Sequence, residues 1–195
     1  TTLSSPLRVI GDLTASGNRL IMVSENGELT NTTTPTIGIA SYEFDAPVDG
    51  TYRIWARTIT PNSNADSFYV RMNETGPWIS WDNISQDNDW QRGEIHDSGN
   101  TGTPLDFALT AGGHTLEIAY QQDGAQLDKL LITNNMSFTP TGLGGDDPDI
   151  AGLETIDLLA TVRDFHDSNW VKPGGASTNP HLDFQAFSHS IPTLN

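Results

Sequence analysis

The chain has 195 residues, enough for one well-buried domain and an additional segment. Twenty-five acidic and nine basic residues give a net charge of -16, which repels phosphate backbones and argues against nucleic acid as a partner. The absence of cysteine excludes disulfides and thiolate chemistry, and the lack of a run of about 18 apolar residues argues against membrane insertion.

Eighteen glycines and eleven prolines favour turns, and short segments with period-two alternation separate them. LIMV is a plausible early strand, and the alternating segments follow in the order SYEFDAP, TYRIWARTI, SFYVRM, LDFAL, HTLEIAY and LDKLLI. In TYRIWARTI, alternation places Tyr52, Ile54 and Ala56 on one face and Arg53, Trp55 and Arg57 on the other. LDFAL, the turn TAGG and HTLEIAY predict a hairpin. The whole pattern predicts an all-β fold, an antiparallel β-sandwich of the jelly-roll type.

After Ile132 the run NNMSFTPTGLGGDDPD loses all periodicity and has the composition of a linker. We therefore predict a jelly-roll module over residues 1–138, a Gly/Pro/Asp-rich linker over 139–153, and a partial second β segment over 154–195. Within that last part, IAGLETIDLLATV suits a helix by propensity, and a strand at IDLLATV fits equally well.

Three tryptophans occur in PWISWDNISQDNDW, residues 77–90. A sugar ring has an apolar C–H face and a hydroxyl rim, so a flat aromatic side chain beside carboxylates and amides suits it. The alternative is that the tryptophans cap the core. Trp81 and Trp90 are the predicted ligand contacts, with Asp89 as a hydrogen-bonding partner. Trp78 follows Gly-Pro at a predicted strand start and is expected to be the most buried of the three.

Asp128 shares a predicted strand face with Leu130 and Ile132, so its carboxylate needs a partner if that face is buried. A calcium ion would satisfy it. An arginine such as Arg57, or backbone donors at a strand end, would satisfy it equally well.

Evidence for catalysis is thin, since no Gly-x-Ser-x-Gly, HExxH or phosphate-loop pattern appears. His96, beside Asp97, could hydrogen-bond a ligand or lie solvated in a loop. His166 and His181 lie near aspartates and suggest a His/Asp metal cluster. This prediction has little support, because the fold around these residues is unknown. We predict that the chain is not an enzyme.

Half of the chain, from about Leu29 to Ile132, resembles the β-jelly-roll carbohydrate-binding modules of families 6 and 35. The resemblance rests on ASYEFDAPVDGTYRIWARTITPN, DSFYVRMNETGPWISWDNI and LTAGGHTLEIAYQQDGAQLDKLLIT. It implies sugar binding through loops at one end and a structural calcium ion.

By position, the resemblance places Asp128 at a last-strand carboxylate that helps to hold calcium. It also places Trp81, Trp90, Asp123 and Gln126, with Gln122, where such modules make sugar contacts. The opening strand with a Glu-Ala-Glu type motif is absent, so we expect this strand to be missing, cleaved or supplied by something else.

Two segments of the tail, IDLLATVRDFHDSN and NPHLDFQAF, resemble the opening of the fibro-slime domain of extracellular bacterial proteins. Leu182 and Gln185 depart from the signature of that domain.

The resulting hypothesis is non-catalytic binding of a polysaccharide or glycan by a secreted or cell-surface bacterial protein. The alternative is a structural subunit of a matrix, adhesin or filament, a homo-polymer in which a segment such as Ile156 to Val162 joins a neighbour's sheet. A fragment of a larger protein would explain the incomplete modules equally well.

Overall fold

The computed structural model describes residues 2–24, 30–100 and 102–141, together with the backbone of residues 153–157. This part of the chain contains β-strands, turns and two short 3-10 turns. Among the described residues there is no helix with the length and apolar character needed to cross a membrane. The tail from residue 158 lies outside the described residues, and with it lie His166, His181 and most of the segment that resembles the fibro-slime domain.

Fourteen strands form the described structure. They are β1 (Thr2–Leu3), β2 (Arg8–Gly11), β3 (Arg19–Met22), β4 (Ile39–Ala46), β5 (Gly50–Thr60), β6 (Phe68–Met72), β7 (Ile79–Trp81), β8 (Asp87–Glu94), β9 (His96–Asp97), β10 (Thr103–Pro104), β11 (Asp106–Leu109), β12 (Gly112–Tyr120), β13 (Gln126–Thr133) and β14 (Leu153–Asp157).

The main strands form two antiparallel sheets, which we call sheet A and sheet B. Sheet A has the order β1-β4-β12-β6-β7. Sheet B has the order β11-β5-β13-β3-β2, with β8 also paired to β5 and β14 also paired to β13. The predicted antiparallel β-sandwich of the jelly-roll type is confirmed.

The two central strands of sheet B share their edges among several partners. β5 is eleven residues long, and along one edge it pairs first with β11 and then with β8. β13 pairs with β5 on one side, while its other edge is divided between β3 and β14. Residues 153–157 form a strand, since β14 pairs with β13. The division of the chain into a module (1–138), a linker (139–153) and a second β segment (154–195) stays a prediction.

The core lies between the sheets and follows the alternation of the strands. Tyr52, Ile54 and Ala56 of β5 are buried, as the sequence predicts. The largest fully buried side chains are Trp81, Tyr42, Tyr52, Phe68, Ile21, Ile54, Ile95, Leu116, Ile118, Leu127, Leu130 and Ile132. Burial of this apolar surface is the main favourable contribution to folding.

The predicted hairpin between LDFAL and HTLEIAY is wrong. β11 pairs with β5 in sheet B, whereas β12 pairs with β4 and β6 in sheet A. The TAGG turn therefore crosses from one sheet to the other, and Asp49 Oδ1 accepts a hydrogen bond from the Ala111 N–H at 2.7 Å beside it. Alternation specifies which face of a strand is buried, but it does not specify the strand's partner.

Replacing Trp81 by alanine is expected to lower the free energy of unfolding by about 3–5 kcal/mol, because it removes a large side chain from a packed core. Chemical denaturation followed by circular dichroism measures this change. The matched control is Trp78→Ala, which truncates a half-buried tryptophan three residues away and is expected to cost clearly less. Equal losses for the two variants would contradict the assignment of Trp81 to the core.

Candidate functional site

The structure reverses the predicted roles of two tryptophans. Trp81 is only 1% exposed, and its ring stacks on Phe68 at a centroid distance of 5.4 Å. Trp78, which was expected to be the most buried, is half-buried directly before β7, and the guanidinium carbon of Arg71 lies 4.4 Å from its ring centroid. Trp81 therefore belongs to the core and presents no face to a ligand.

Trp90 lies at the surface of sheet B and is held from two directions. Its ring is half-buried, and the guanidinium carbon of Arg57 lies 4.5 Å from the ring centroid. Its Nε1 donates a hydrogen bond to Thr14 Oγ1 at 2.9 Å. Cation–π contact and hydrogen bonding fix the orientation of the indole, so its remaining exposed surface is preorganised.

Arg57 also pairs with Asp128, and a β-bulge makes this contact possible. The register between β5 and β13 shifts between Leu127 and Lys129, which leaves Asp128 as the extra residue beside Arg57. Asp128 therefore does not simply share the inward face of Leu130, because the bulge breaks the alternation. The carboxylate meets the guanidinium on the outer side of sheet B, so the arginine alternative is the one observed.

This ion pair is almost completely shielded from water. Asp128 is 1% exposed and Arg57 is 8% exposed. Burial raises the pKa of Asp128 to about 6, while the Arg57 guanidinium and a backbone hydrogen bond at Ser16 act in the opposite direction. A buried pair of this kind is costly to break, since each partner would leave the other charge uncompensated.

The described neighbours of Asp128 do not fit a calcium site. Its Oδ1 atom is buried without a hydrogen-bond partner among them, which by itself would suit a cation. However, no three His, Cys, Asp or Glu side chains group together within the described ranges, and Arg57 already places a positive charge there. Calcium takes six to eight oxygen ligands. Calcium binding at Asp128 stays a prediction that these residues do not support.

The other predicted ligand contacts differ in their access to solvent. Asp89 is exposed beside Trp90 on β8, and its backbone N–H donates to Asp87 Oδ1 at 3.1 Å. Gln126 is half-buried at the start of β13 and pairs with Ile59 of β5. Asp123 is only 3% exposed, so little of its carboxylate is accessible. The structure therefore leaves Asp89 exposed and Trp90 and Gln126 partly accessible, and it buries Asp123 in a loop.

The loops at the sandwich end around Asp66 form a separate polar network. The Gln122 Oε1 atom accepts hydrogen bonds from the Asp66 N–H at 3.1 Å and from Ser67 Oγ at 2.8 Å. Burial and the nearby Asp82 carboxylate raise the pKa of Asp66. His96 Nε2 lies 2.8 Å from the Asp82 carbonyl oxygen, so it is part of this network and not a solvated loop residue. These side chains stabilise the loops by satisfying one another.

A small cavity of about 20 Å³ lies on the outer face of sheet B. Its lining is Trp55, Ala56, Arg57, Arg92, Lys129, Leu130, Leu131 and Pro140. The sequence places Trp55 and Arg57 on this face through alternation, but it contains no signal for Arg92 or Pro140. Those residues come from distant segments, and only the tertiary structure brings them together.

Comparisons with known proteins agree with this fold. No protein-family model matches the chain. A β-(1,4)-mannanase from Podospora anserina that includes a family 35 carbohydrate-binding module is similar over 71% of this chain and 27% of its own, with a TM-score of 0.50 and 11% identity. At this identity the similarity establishes the fold alone.

Two isolated modules give weaker matches. A family 35 carbohydrate-binding module from an environmental isolate matches with a TM-score of 0.49 and 16% identity, covering 69% of this chain and 86% of the module. A carbohydrate-binding module of Cellvibrio mixtus lichenase 5A, solved with cellotriose, matches with a TM-score of 0.47 and 16% identity, covering 67% and 88%.

In sequence, the chain is 24% identical over 115 residues to an uncharacterized protein of Formosa agariphila. The match covers 55% of this chain and spans 28% of the length of that relative. At this level of identity the relative does not define a family for the chain.

Replacing Arg57 by glutamine is expected to lower the free energy of unfolding by about 3–5 kcal/mol, because it leaves the buried Asp128 carboxylate unpaired. The control is Arg53→Gln, whose carboxylate partners Glu94 and Asp106 are 27% and 37% exposed. Its loss is expected to be about 1 kcal/mol or less. Denaturant titrations of Arg57→Gln, Asp128→Asn and the double variant measure the coupling between the two residues, and Arg53→Gln is titrated beside them.

Two results would contradict this account. The first is an equal loss for the Arg53 and Arg57 variants, since only the second leaves a fully buried charge unpaired. The second is a large fall in the melting temperature of the unmodified protein on addition of a calcium chelator.

Proposed function

We propose that this chain binds carbohydrate without cleaving it and that Trp90 is the stacking surface. The observation that carries the proposal is the partly exposed ring of Trp90, fixed by Arg57 on one side and by Thr14 at its indole nitrogen. A sugar ring packs its C–H face on such a surface at little cost in side-chain entropy, because the indole is already ordered.

The proposal assigns the hydrogen bonds with the sugar hydroxyls to Asp89 and Gln126. Asp89 is exposed on the same strand, and Gln126 is half-buried two strands away. Carboxylate and amide groups pair with sugar hydroxyls and supply the directional part of recognition. Because Trp81 and Asp123 are buried, the proposal assigns them no contact with the sugar.

The proposal includes a secreted or cell-surface location, where polysaccharides are available. The fold supports the carbohydrate-binding part of the proposal, because a similar fold occurs in a mannanase that includes a carbohydrate-binding module. The names of the similar proteins suggest the first glycans for testing, namely β-mannan and cellotriose.

Replacing Trp90 by alanine is expected to weaken glycan binding about thirtyfold, since truncating an aromatic anchor costs about 2 kcal/mol or more. Isothermal titration calorimetry against these glycans, after a glycan array has identified the best binder, measures the change. The matched control is Trp78→Ala, which removes a half-buried tryptophan that also lies beneath an arginine, but on sheet A.

The melting temperatures of both variants are measured alongside. Loss of binding by Trp90→Ala with folding retained supports the proposal. Equal loss by Trp78→Ala, or unchanged affinity of Trp90→Ala, would contradict it.

A second candidate function is that of a structural subunit, and the pairing of β14 favours it. β3 covers β13 only at Gln126 and Leu127, and β14 occupies the same edge at residues 129–133. A backbone edge that accepts a strand from residues 153–157 of its own chain can accept the same strand from a second copy. Such an exchange would join chains through identical hydrogen bonds.

This second proposal predicts dimers or larger assemblies at micromolar concentration that disappear when residues 151–195 are deleted. Size-exclusion chromatography with light scattering measures the mass of both chains. Monomers of the full chain over the whole concentration range would overturn it.

A further inference from the structure

The pairing of β5 with β8 is irregular at Trp90. Two ladder pairs flank this place, and between them β5 has one residue, Ile59, whereas β8 has three, residues 88–90. Extra residues of this kind interrupt the ladder of hydrogen bonds and bend the strand that contains them. Backbone pairing alone therefore does not fix the direction of the indole ring, and side-chain contacts must do so.

The loop of residues 12–18, which connects β2 to β3, supplies part of those contacts. Its Thr14 carbonyl oxygen accepts a hydrogen bond from Arg57 Nη2 at 3.3 Å, and its Thr14 Oγ1 atom accepts one from Trp90 Nε1 at 2.9 Å. Arg57 belongs to β5 and Trp90 to β8. The loop thus reaches from one edge of sheet B to two other strands of the sheet, and Thr14 is the residue that meets both.

Asp12 determines the direction of the Thr14 hydroxyl group. Asp12 Oδ1 accepts hydrogen bonds from the Thr14 N–H and from Thr14 Oγ1, both at 2.7 Å. A hydroxyl group has one proton, and here the carboxylate takes it, so only the lone pairs of Oγ1 can face the indole. The indole N–H is a donor only. The three side chains therefore form a chain of hydrogen bonds whose direction is fixed from Trp90 to Thr14 to Asp12.

The carboxylate at the end of this chain stays charged at neutral pH. The hydrogen bonds from Thr14 lower the pKa of Asp12 below its usual value; burial opposes this shift, and the Arg57 guanidinium adds to it. Hydrogen bonds to a charged acceptor are stronger than those between neutral groups. The Thr14 hydroxyl is thus held firmly in the orientation that accepts from Trp90.

The chain of hydrogen bonds lies at the surface and buries little apolar area. Thr14 is exposed, and the Leu13 side chain beside it is 89% exposed. Surface hydrogen bonds of this type contribute little to stability, because water replaces them readily. Their main effect is therefore on the orientation of the Trp90 ring and not on the free energy of unfolding.

We propose that Thr14 and Asp12 are positioning residues for the glycan-binding surface of Trp90. This inference rests on the proposed function. A ring held in one orientation loses little side-chain entropy when a sugar packs on it. Without the Thr14 acceptor, the ring gains other orientations, and glycan affinity falls although no contact with the sugar is removed. Because Nε1 donates to Thr14, the indole offers a sugar its ring surface and no hydrogen bond.

The test measures the affinity of the full chain for cellotriose and β-mannan by isothermal titration calorimetry. Thr14→Val keeps the shape of the side chain, removes the acceptor, and is expected to weaken binding about fivefold. Asp12→Ala releases the hydroxyl proton and is expected to weaken binding about threefold. Thr14→Ser keeps the hydroxyl group and is expected to bind as the unmodified chain does. Melting temperatures are expected to stay nearly unchanged in all three variants.

The indole N–H resonance of Trp90 gives a readout that does not depend on the glycan. The chain has five tryptophans, and the resonance that is missing from the heteronuclear NMR spectrum of Trp90→Phe identifies Trp90. In Thr14→Val and Asp12→Ala this resonance is expected to shift and to exchange faster with water. In Thr14→Ser it is expected to stay close to its original position.

Thr103→Val is the matched control, because it removes another exposed threonine hydroxyl, one that donates to the Asn100 carbonyl oxygen at 2.8 Å. This variant is expected to change neither the affinity nor the Trp90 resonance. Equal weakening of binding by Thr103→Val would overturn the proposal. Weakening by Thr14→Val that Thr14→Ser shares would indicate damage to the loop and also overturn it.

The positioning role and the proposed function fail in different ways. A shifted Trp90 resonance in Thr14→Val with unchanged glycan affinity would overturn the positioning role and leave stacking on Trp90 intact. Unchanged affinity of Trp90→Ala would overturn the proposed function, and the positioning role would fail with it.

Discussion

The ion pair between Arg57 and Asp128 joins the two central strands of sheet B where a β-bulge interrupts their register. The extra residue of the bulge places a carboxylate beside the guanidinium on the outer side of the sheet. Arg57, held there, stacks over Trp90, and its Nη2 atom donates to the Thr14 carbonyl oxygen at 3.3 Å. The surface of sheet B that we assign to ligand binding therefore depends on one buried charge pair.

This arrangement has an energetic cost that a purely apolar packing would avoid. Two charges must lose most of their hydration, and their attraction repays the loss only when the geometry is good. The buried Nε atom of Arg57 has no acceptor, and the buried Oδ1 atom of Asp128 has no donor, among the described residues. Incomplete satisfaction of polar groups in a native structure is often associated with a functional site. The outer face of sheet B is where that cost is concentrated.

The three tryptophans between residues 77 and 90 show how topology separates similar residues. Trp81 ends β7 and enters the core, Trp78 lies under Arg71 beside sheet A, and Trp90 lies under Arg57 on sheet B. All three lie within fourteen residues of the sequence. Strand direction and sheet membership, not composition, give each tryptophan its environment.

The sequence by itself determined the all-β class, the inward face of β5 and the need of Asp128 for a partner, because alternation and turn chemistry act over a few residues. The partner of β11, the burial of Trp81 and the cavity between Arg92 and Lys129 were decided by tertiary structure. All three depend on which strands become neighbours, and the cavity also depends on the one-residue bulge of β13 that shifts the alternation. Local patterns carry no information about such long-range pairing, since many registers satisfy the same period of two.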